Sequence, residues 1–373
     1  MDTIGVALVG TGFGLKVHLP ALRSHPRIEV VTVVNRDPAR AEAIAQAQGI
    51  RHFCTTIEEA ITRSNVQAVS ISTPPFLHYD MAIAALRANK HIFLEKPTTL
   101  NESQAQTLYT LAQQNNLAAT MNFEFRYIPA WQRLWELLQE ASETSVVGNI
   151  RYVKIDWLVG GRADASRPWN WYARKDQGGG ALGAIGSHVF DYVEWLFGEV
   201  RSVSARLSTA IPFRPDPLEN NLLKSVTSDD TCNIVLELTT NIPVQISLSS
   251  IALAGRGHFV EVYGDRGTLI LGSDNLTDYV HGFTLRGSQH GQPLETLEIP
   301  HRLAFPKTWD DGRIAPIVRV IDRWVESMNA GEMRSPSLQE GVVSQRIMDA
   351  CHRSNETQQV IRLNNSVQIK TYC

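Results

Sequence analysis

Residues able to hold a phosphorylated ligand or move a proton occur at four places in the chain. Gly10 and Gly12 in "GTGFGLKVHLP" follow the apolar run "IGVALV", at the spacing of the first two glycines of G-x-G-x-x-G. Glycines there let the chain turn tightly and let backbone N–H groups approach a pyrophosphate at a helix N-terminus. The third glycine serves helix–strand packing. Leu15 stands in its place and Gly14 comes one residue early. By itself this fingerprint does not separate a phosphate loop from an ordinary strand-to-helix turn. Asn35 and Arg36 close the next apolar run, "IEVVTVVNR". Lys96 ends the run "HIFLEK" before Pro97, whose ring keeps Lys96 extended and admits a cis bond. His188 follows five glycines (178, 179, 180, 183 and 186), an opening that lets backbone pack close to a ligand.

The elements around these residues supply the missing context. "VALVG", "IEVVTVVN", "VQAVSIST", "HIFLEKP" and "LAATMNF" read as buried strands alternating with helices, such as the one starting at Asp37–Pro38 and another over about 78–89. That alternation predicts an α/β fold, an N-terminal Rossmann doubly wound parallel sheet over residues 1–125. The glycine loop then has a strand before it and a helix after it, as a dinucleotide site requires. Beyond residue 125 the texture changes. "GNIRYVKIDWLV", "VRSVSARLS", "TCNIVLELTT", "IPVQISLSSIAL", "HFVEVYG" and "GTLIL" follow one another with little helix between, and "EVYGDRGTLIL" reads as a hairpin turning at 265–267. Helical pattern returns at "IAPIVRVIDRWVESMNAG" and "LQEGVVSQRIMDACHRSNET". The expected second domain, 126–373, is therefore α+β.

The strand end at Asn35–Arg36 selects the dinucleotide. An acidic residue there bonds an unphosphorylated ribose, whereas an arginine suits a 2′-phosphate. Arg36 can grip a phosphate bidentately, Asn35 does not repel it, and Asp37 is accounted for by helix capping. NADP is the expected cofactor, with NAD as the alternative.

Bulk properties exclude several classes. The 373 residues suffice for two domains of ~150 residues each. A net charge of −3 and 43% apolar residues give no sign of a nucleic-acid or membrane partner. Cys54, Cys232, Cys351 and Cys373 show no metal-ligand spacing, so no metal site is expected, and free thiols point to a cytoplasmic protein. "MDTIGVALVG" has no basic segment before its apolar run and reads as a strand rather than a signal peptide.

Three stretches, "STPPFLHYDMAIAALRANKHIFLEKP", "MNFEFRYIPAW" and "GGGALGAIGSHVFD", resemble the glucose–fructose oxidoreductase and inositol dehydrogenase (Gfo/Idh/MocA) family of NAD(P)-dependent enzymes. The resemblance extends over nearly the whole chain. It implies that the second domain carries an open, largely antiparallel sheet, offering a face for a homo-oligomer. It implies further that Lys96 and His188 face the nicotinamide, with Glu95 and Pro97 shaping the loop. Further cofactor contacts are expected at Phe13 in the glycine loop and at Ser72, Thr73, Pro74, His78 and Asn122 in these stretches, with Arg126, and Trp171 and Tyr172 just before the glycines, as walls of a pocket for a polyhydroxylated small molecule.

The implied chemistry is hydride transfer at a carbinol or carbonyl carbon. His188 would exchange the hydroxyl proton, while the Lys96 ammonium stabilises the same oxygen as it gains alkoxide character. One departure stands out. The family commonly has an aspartate four residues before the histidine, and here that residue is Ala184; Asp191 lies three residues after it. Two other uses of the fold therefore stay open: a dinucleotide-binding regulator without turnover, and a redox-neutral enzyme that uses the cofactor transiently.

Overall fold

The computed structural model describes residues 3–142, 144–275 and 278–363. Cys373 lies outside them. Two compact units are present, one of Met1–Gln132, Arg174–Gly179 and Pro300–Gln345, the other of Arg133–Ala173, Gly180–Ile299 and Arg346–Cys373.

In the first unit β1 (Ile4–Val9), β2 (Ile28–Val34), β3 (His52–Cys54), β4 (Ala68–Ile71), β5 (His91–Leu94) and β6 (Ala119–Met121) form a six-stranded sheet. Its order is β3-β2-β1-β4-β5-β6 and every pair is parallel. Helices on both faces bury the sheet, which is why its strands read as continuous apolar runs. The order reverses between β1 and β4, and ligands of such sheets bind there, at the carboxyl ends of the strands. Local signals set the helix ends as expected. Asp37 accepts from the backbone N–H of Arg40, Pro38 opens the helix Pro38–Gln48, and Gly49 closes it at φ +61°. β3 is too short to show a period in the sequence.

Residues 300–345, which a linear division at 125/126 puts in the second domain, pack with this first sheet. The helix Ile314–Ala330 buries Ile317, Val320, Ile321 and Trp324 among Val6, Leu8 and Phe93. The Trp324 ring lies 5.6 Å from that of Phe93. Each such side chain withdrawn from water contributes about 1.5–3 kcal/mol.

The second unit is built on β7 (Ile150–Leu158), β8 (Val200–Ser208), β11 (Thr231–Leu238), β12 (Pro243–Ser249), β13 (Gly257–Gly264), β14 (Gly267–Ser273), β15 (Thr284–Gln289), β16 (Glu295–Thr296) and β17 (Ile361–Arg362); a separate ribbon pairs β9 (Phe213–Asp216) with β10 (Leu222–Ser225). The nine-stranded sheet is antiparallel except where β12 runs parallel to β7. β13 and β14 form the expected hairpin. Val153, Ile155, Trp157, Ile246, Leu248, Val260 and Val262 are buried on one face. On the other, Arg256 bridges Asp156 (3.0 Å) and Glu261, and Lys154 pairs with Asp156 at 3.0 Å. Period-two alternation along these strands has this physical origin.

Candidate active site

The glycine loop leaves β1 at Gly10, whose φ of +101° disfavours any side chain. A Cβ there would lie 2.7 Å from the Ser72 carbonyl, and one at Gly14 would strike the Ser72 hydroxyl. Gly14 therefore provides the close approach that the fingerprint assigns to its third glycine. The helix takes a π-turn over Gly14–His18, which accommodates the changed spacing. Gly12 is different: nothing lies within 4 Å of the position its Cβ would occupy. Open space at the helix start, where first-turn amides point outward, fits a dinucleotide pyrophosphate.

Around that cradle, the expected contact residues cluster at the carboxyl ends of the strands. Ser72 sends its hydroxyl to the Val9 carbonyl (3.0 Å), tying β4 to the loop. Asn35 donates to Thr11 Oγ1 (2.6 Å) and accepts from the Asp37 N–H (3.0 Å), joining the end of β2 to the loop. Arg36 is exposed, and Phe13 is half-buried in the chain's first helical turn. The Phe13 and His18 rings meet edge-on at 5.4 Å. Thr73 and Pro74 are half-buried after β4.

His78, an expected cofactor contact, is wholly buried. Its ring nitrogens approach the carbonyls of Thr73 (2.8 Å) and Pro97 (2.9 Å). Burial lowers the His78 pKa from its ordinary 6.5, against the opposing pull of these carbonyls and of the Glu95 charge. His78 thereby links the loop after β4 to the Lys96–Pro97 bond, which is cis.

Beneath Lys96 lies a buried polar chain in which Glu95 and Asn122, both expected near the cofactor, are joined by His18 and Ser70, which the sequence did not single out. His18 contacts Ser70 Oγ through Nδ1 and Glu95 Oε1 through Nε2, both at 2.8 Å. Asn122 donates to the same Glu95 oxygen (2.5 Å), and the Lys96 N–H donates to Oε2 (3.2 Å). Burial pushes the Glu95 carboxyl up, but His18, Lys96 and Asn122 together outweigh it and hold the pKa below the usual value. Glu124 responds oppositely. Its own burial, followed by the charge of Glu95, raises it to about 7 despite Lys96.

That shift has a consequence for stability. A carboxyl raised from 4.5 to about 7 contributes fully below pH 4.5 and loses its contribution as pH rises toward 7. The unfolded group ionises while the folded one stays protonated. The loss amounts to roughly 3 kcal/mol. Glu124→Gln should remove that slope, measured by urea unfolding across the interval; parallel pH profiles for both proteins would contradict the assignment.

Arg126 donates to Ser335 Oγ (2.8 Å) and lies 3.8 Å from Glu340, so its guanidinium is engaged within the first unit. His188, Trp171 and Tyr172 belong to the second unit. There a second π-turn, Leu182–Gly186, leads into the helix Ser187–Phe197. Asp229, unnoticed in the sequence, holds its entry: its carboxylate accepts from the Leu182 N–H (2.7 Å) and its carbonyl from the Ala181 N–H (3.0 Å). Gly180, at φ +104°, permits the approach, since a Cβ would come 2.6 Å from Asp229 Oδ1. His188 is buried, its ring 6.1 Å from that of Trp157. Trp157 in turn stacks on His258 at 4.0 Å. Ala184 is half-buried on the π-turn and Asp191 is buried one turn past His188. The Trp171 ring meets Tyr172 at 5.8 Å, and Tyr172 itself lies under the Arg162 guanidinium, 3.3 Å from Cζ to the ring centre.

A parallel sheet in this order, with a glycine cradle at its switch point, defines a dinucleotide-binding protein. Comparison with known sequences specifies it. Residues 4–123 match the Gfo/Idh/MocA oxidoreductase family's NAD-binding Rossmann fold and residues 140–363 its C-terminal alpha/beta domain. The chain belongs to this family of oxidoreductases. It is 48% identical over 351 residues to an uncharacterized oxidoreductase of Synechocystis sp., covering 94% of each chain. Levoglucosan dehydrogenase of Pseudarthrobacter phenanthrenivorans is 31% identical over 226 residues, 58% of this chain and 56% of that one. A solved structure of levoglucosan dehydrogenase with NADH and L-sorbose has the same fold, with a TM-score of 0.84 at 23% identity over 98% of this chain and 100% of the other. Among the described residues no group of histidine, cysteine or acidic side chains could hold a metal, and no helix is long and apolar enough to cross a membrane. Cys54, Cys232 and Cys351 are free thiols, all buried.

Proposed function

We propose that this chain transfers a hydride between NADP(H) and the carbinol or carbonyl carbon of a sugar-like, polyol or cyclic diol substrate. The observation that carries the reading is Lys96 at the carboxyl end of β5, its backbone fixed by Glu95 within the strand ends that surround the glycine cradle. Gly10, Gly12 and Phe13 would hold the pyrophosphate, and Ser72, Thr73, Pro74 and Asn122 would shape the cleft about it. The nicotinamide supplies the carbon that accepts or returns the hydride. His188 takes the hydroxyl proton during oxidation and gives it back during reduction, and Lys96 donates a hydrogen bond to the same oxygen as negative charge develops there. Levoglucosan dehydrogenase, a relative, supports a sugar-like substrate by its name.

Preference for NADP(H) rests on the exposed Arg36 beside a neutral Asn35. Self-association through the polar face of the second sheet, in the cytoplasm, completes the reading. The test is a panel of polyols, aldoses and dihydrodiols with NADP⁺ and with NAD⁺, followed through the absorbance of the reduced nicotinamide. Turnover of at least one member with NADP⁺ preferred is expected. Tight cofactor binding with no turnover of any member would favour the regulator reading, for which Ala184 in place of an aspartate is the supporting observation.

A further inference from the structure

Three arginines gather beside one loop of the second unit. Arg162 and Arg167 lie in the segment 159–172 after β7, and Arg214 comes from β9. Arg214 is buried and donates to the carbonyls of Asp164 and Arg162, both at 2.7 Å. Arg167 donates to the carbonyl of Gly161. The Arg162 guanidinium lies over the Tyr172 ring. None of the three is within ion-pair distance of a carboxylate among the described residues, although Arg256, Arg313 and Arg334 elsewhere all are. Burial, then the charges of Arg167 and Arg214, hold Arg162 below its ordinary pKa. Asp164 is turned onto Ser166, at 2.8 Å from its N–H and 2.7 Å from its hydroxyl. Asp230 and Asp164 act on Arg214, and Asp164 on Arg167, at longer range than an ion pair. Of the three, Arg214 is withdrawn from water, Arg162 is half-buried and Arg167 is exposed; holding a buried guanidinium against neutral carbonyls is costly unless an anion lies near it.

The loop is tied to the segment that presents His188. Arg162 N–H donates to the Ser250 carbonyl (2.8 Å), and the Ser228 hydroxyl donates to the Tyr172 carbonyl (2.8 Å). The next residue, Asp229, holds the entry to the π-turn before His188. The Arg162 guanidinium also hydrogen-bonds the Tyr172 side chain, which leaves its remaining N–H groups for a planar or tetrahedral oxyanion, the use to which arginine is best suited. We propose that Arg162 and Arg167, braced by Arg214, form a subsite for a phosphate or carboxylate carried by the sugar-like substrate. This assignment rests on the dehydrogenase reading for its substrate class, but the binding test below does not depend on turnover.

The full-length protein, saturated with oxidised cofactor, is titrated calorimetrically with glucose 6-phosphate, glucuronate and glucose at low ionic strength. At least one anion should bind ten-fold or more tightly than glucose, and which one identifies the substituent. Arg167→Gln, at an exposed position, and Arg162→Gln should each remove most of that preference without changing cofactor affinity. Arg162→Lys, which keeps charge but loses the planar fork, should restore it only partly. Equal affinity for all three ligands, an anion preference that survives both glutamine variants, or a matching loss of NADP⁺ affinity would each overturn the subsite. An anion preference lost in the variants, with no oxidation of any panel member, would overturn the dehydrogenase reading and leave the subsite standing.

Discussion

Lys96→Ala and His188→Ala should each lower kcat by at least ~10²-fold while cofactor affinity stays within a few-fold of the parent. The two residues are asked to do different things. Lys96 supplies a fixed positive charge to an oxygen that becomes anionic as hydride leaves its carbon, a contribution made mainly in the transition state. Its backbone N–H is bonded to Glu95, which His18 and Asn122 hold in turn, so the lysine starts from a rigid base. His188 supplies the proton exchange and sits buried at the head of a helix whose entry Asp229 fixes. Loss confined to kcat fits both roles. His188→Gln separates chemistry from packing, because it fills much of the space beside Trp157 and yet cannot exchange a proton near neutral pH. Single-turnover rates and cofactor titration, with thermal melting to verify folding, decide the matter. Parental kcat in either alanine variant would remove that residue from the reaction.

Arg36→Ala should weaken NADP(H) by ten-fold or more and leave NAD(H) nearly unchanged. A charge-assisted hydrogen bond contributes about 1.5–3 kcal/mol, and ten-fold corresponds to about 1.4 kcal/mol. The lower part of that range applies, since Arg36 is exposed and solvent screens it. Its neighbours explain why it would act alone. Asn35 is engaged with Thr11 and the Asp37 N–H, while Asp37 spends a carboxylate oxygen on the Arg40 N–H at 3.2 Å as the helix cap. Neither is disposed to receive a ribose diol as an acidic residue at the end of β2 would. Asn35→Asp should therefore shift preference toward NAD(H), by repelling a 2′-phosphate and accepting from the ribose hydroxyls. Equal losses for both cofactors in Arg36→Ala would sink the assignment.

What the sequence determined by itself was everything carried by near neighbours in the chain. Asp37, Pro38 and Gly49 bound a helix through contacts within a turn of its ends, so residue types suffice to announce it. Buried parallel strands and alternating antiparallel ones differ because one or both faces are covered, and that difference is written in every second residue. The glycine loop was legible as a turn into a helix, although its actual close contact falls on Gly14 through a π-turn that no spacing rule anticipates. Tertiary structure alone decided which distant groups meet. His18 reaches Glu95 across 77 residues and Leu182 reaches Asp229 across 47. The helix Ile314–Ala330 returns to the first sheet because its apolar stripe matches Phe93 and the strands beside it, a complementarity visible only once both surfaces exist. Residue type limits what a side chain can do. Burial, and the charge placed next to it by chain folding, decide which of those things it does, as the opposite shifts of Glu95 and Glu124 illustrate.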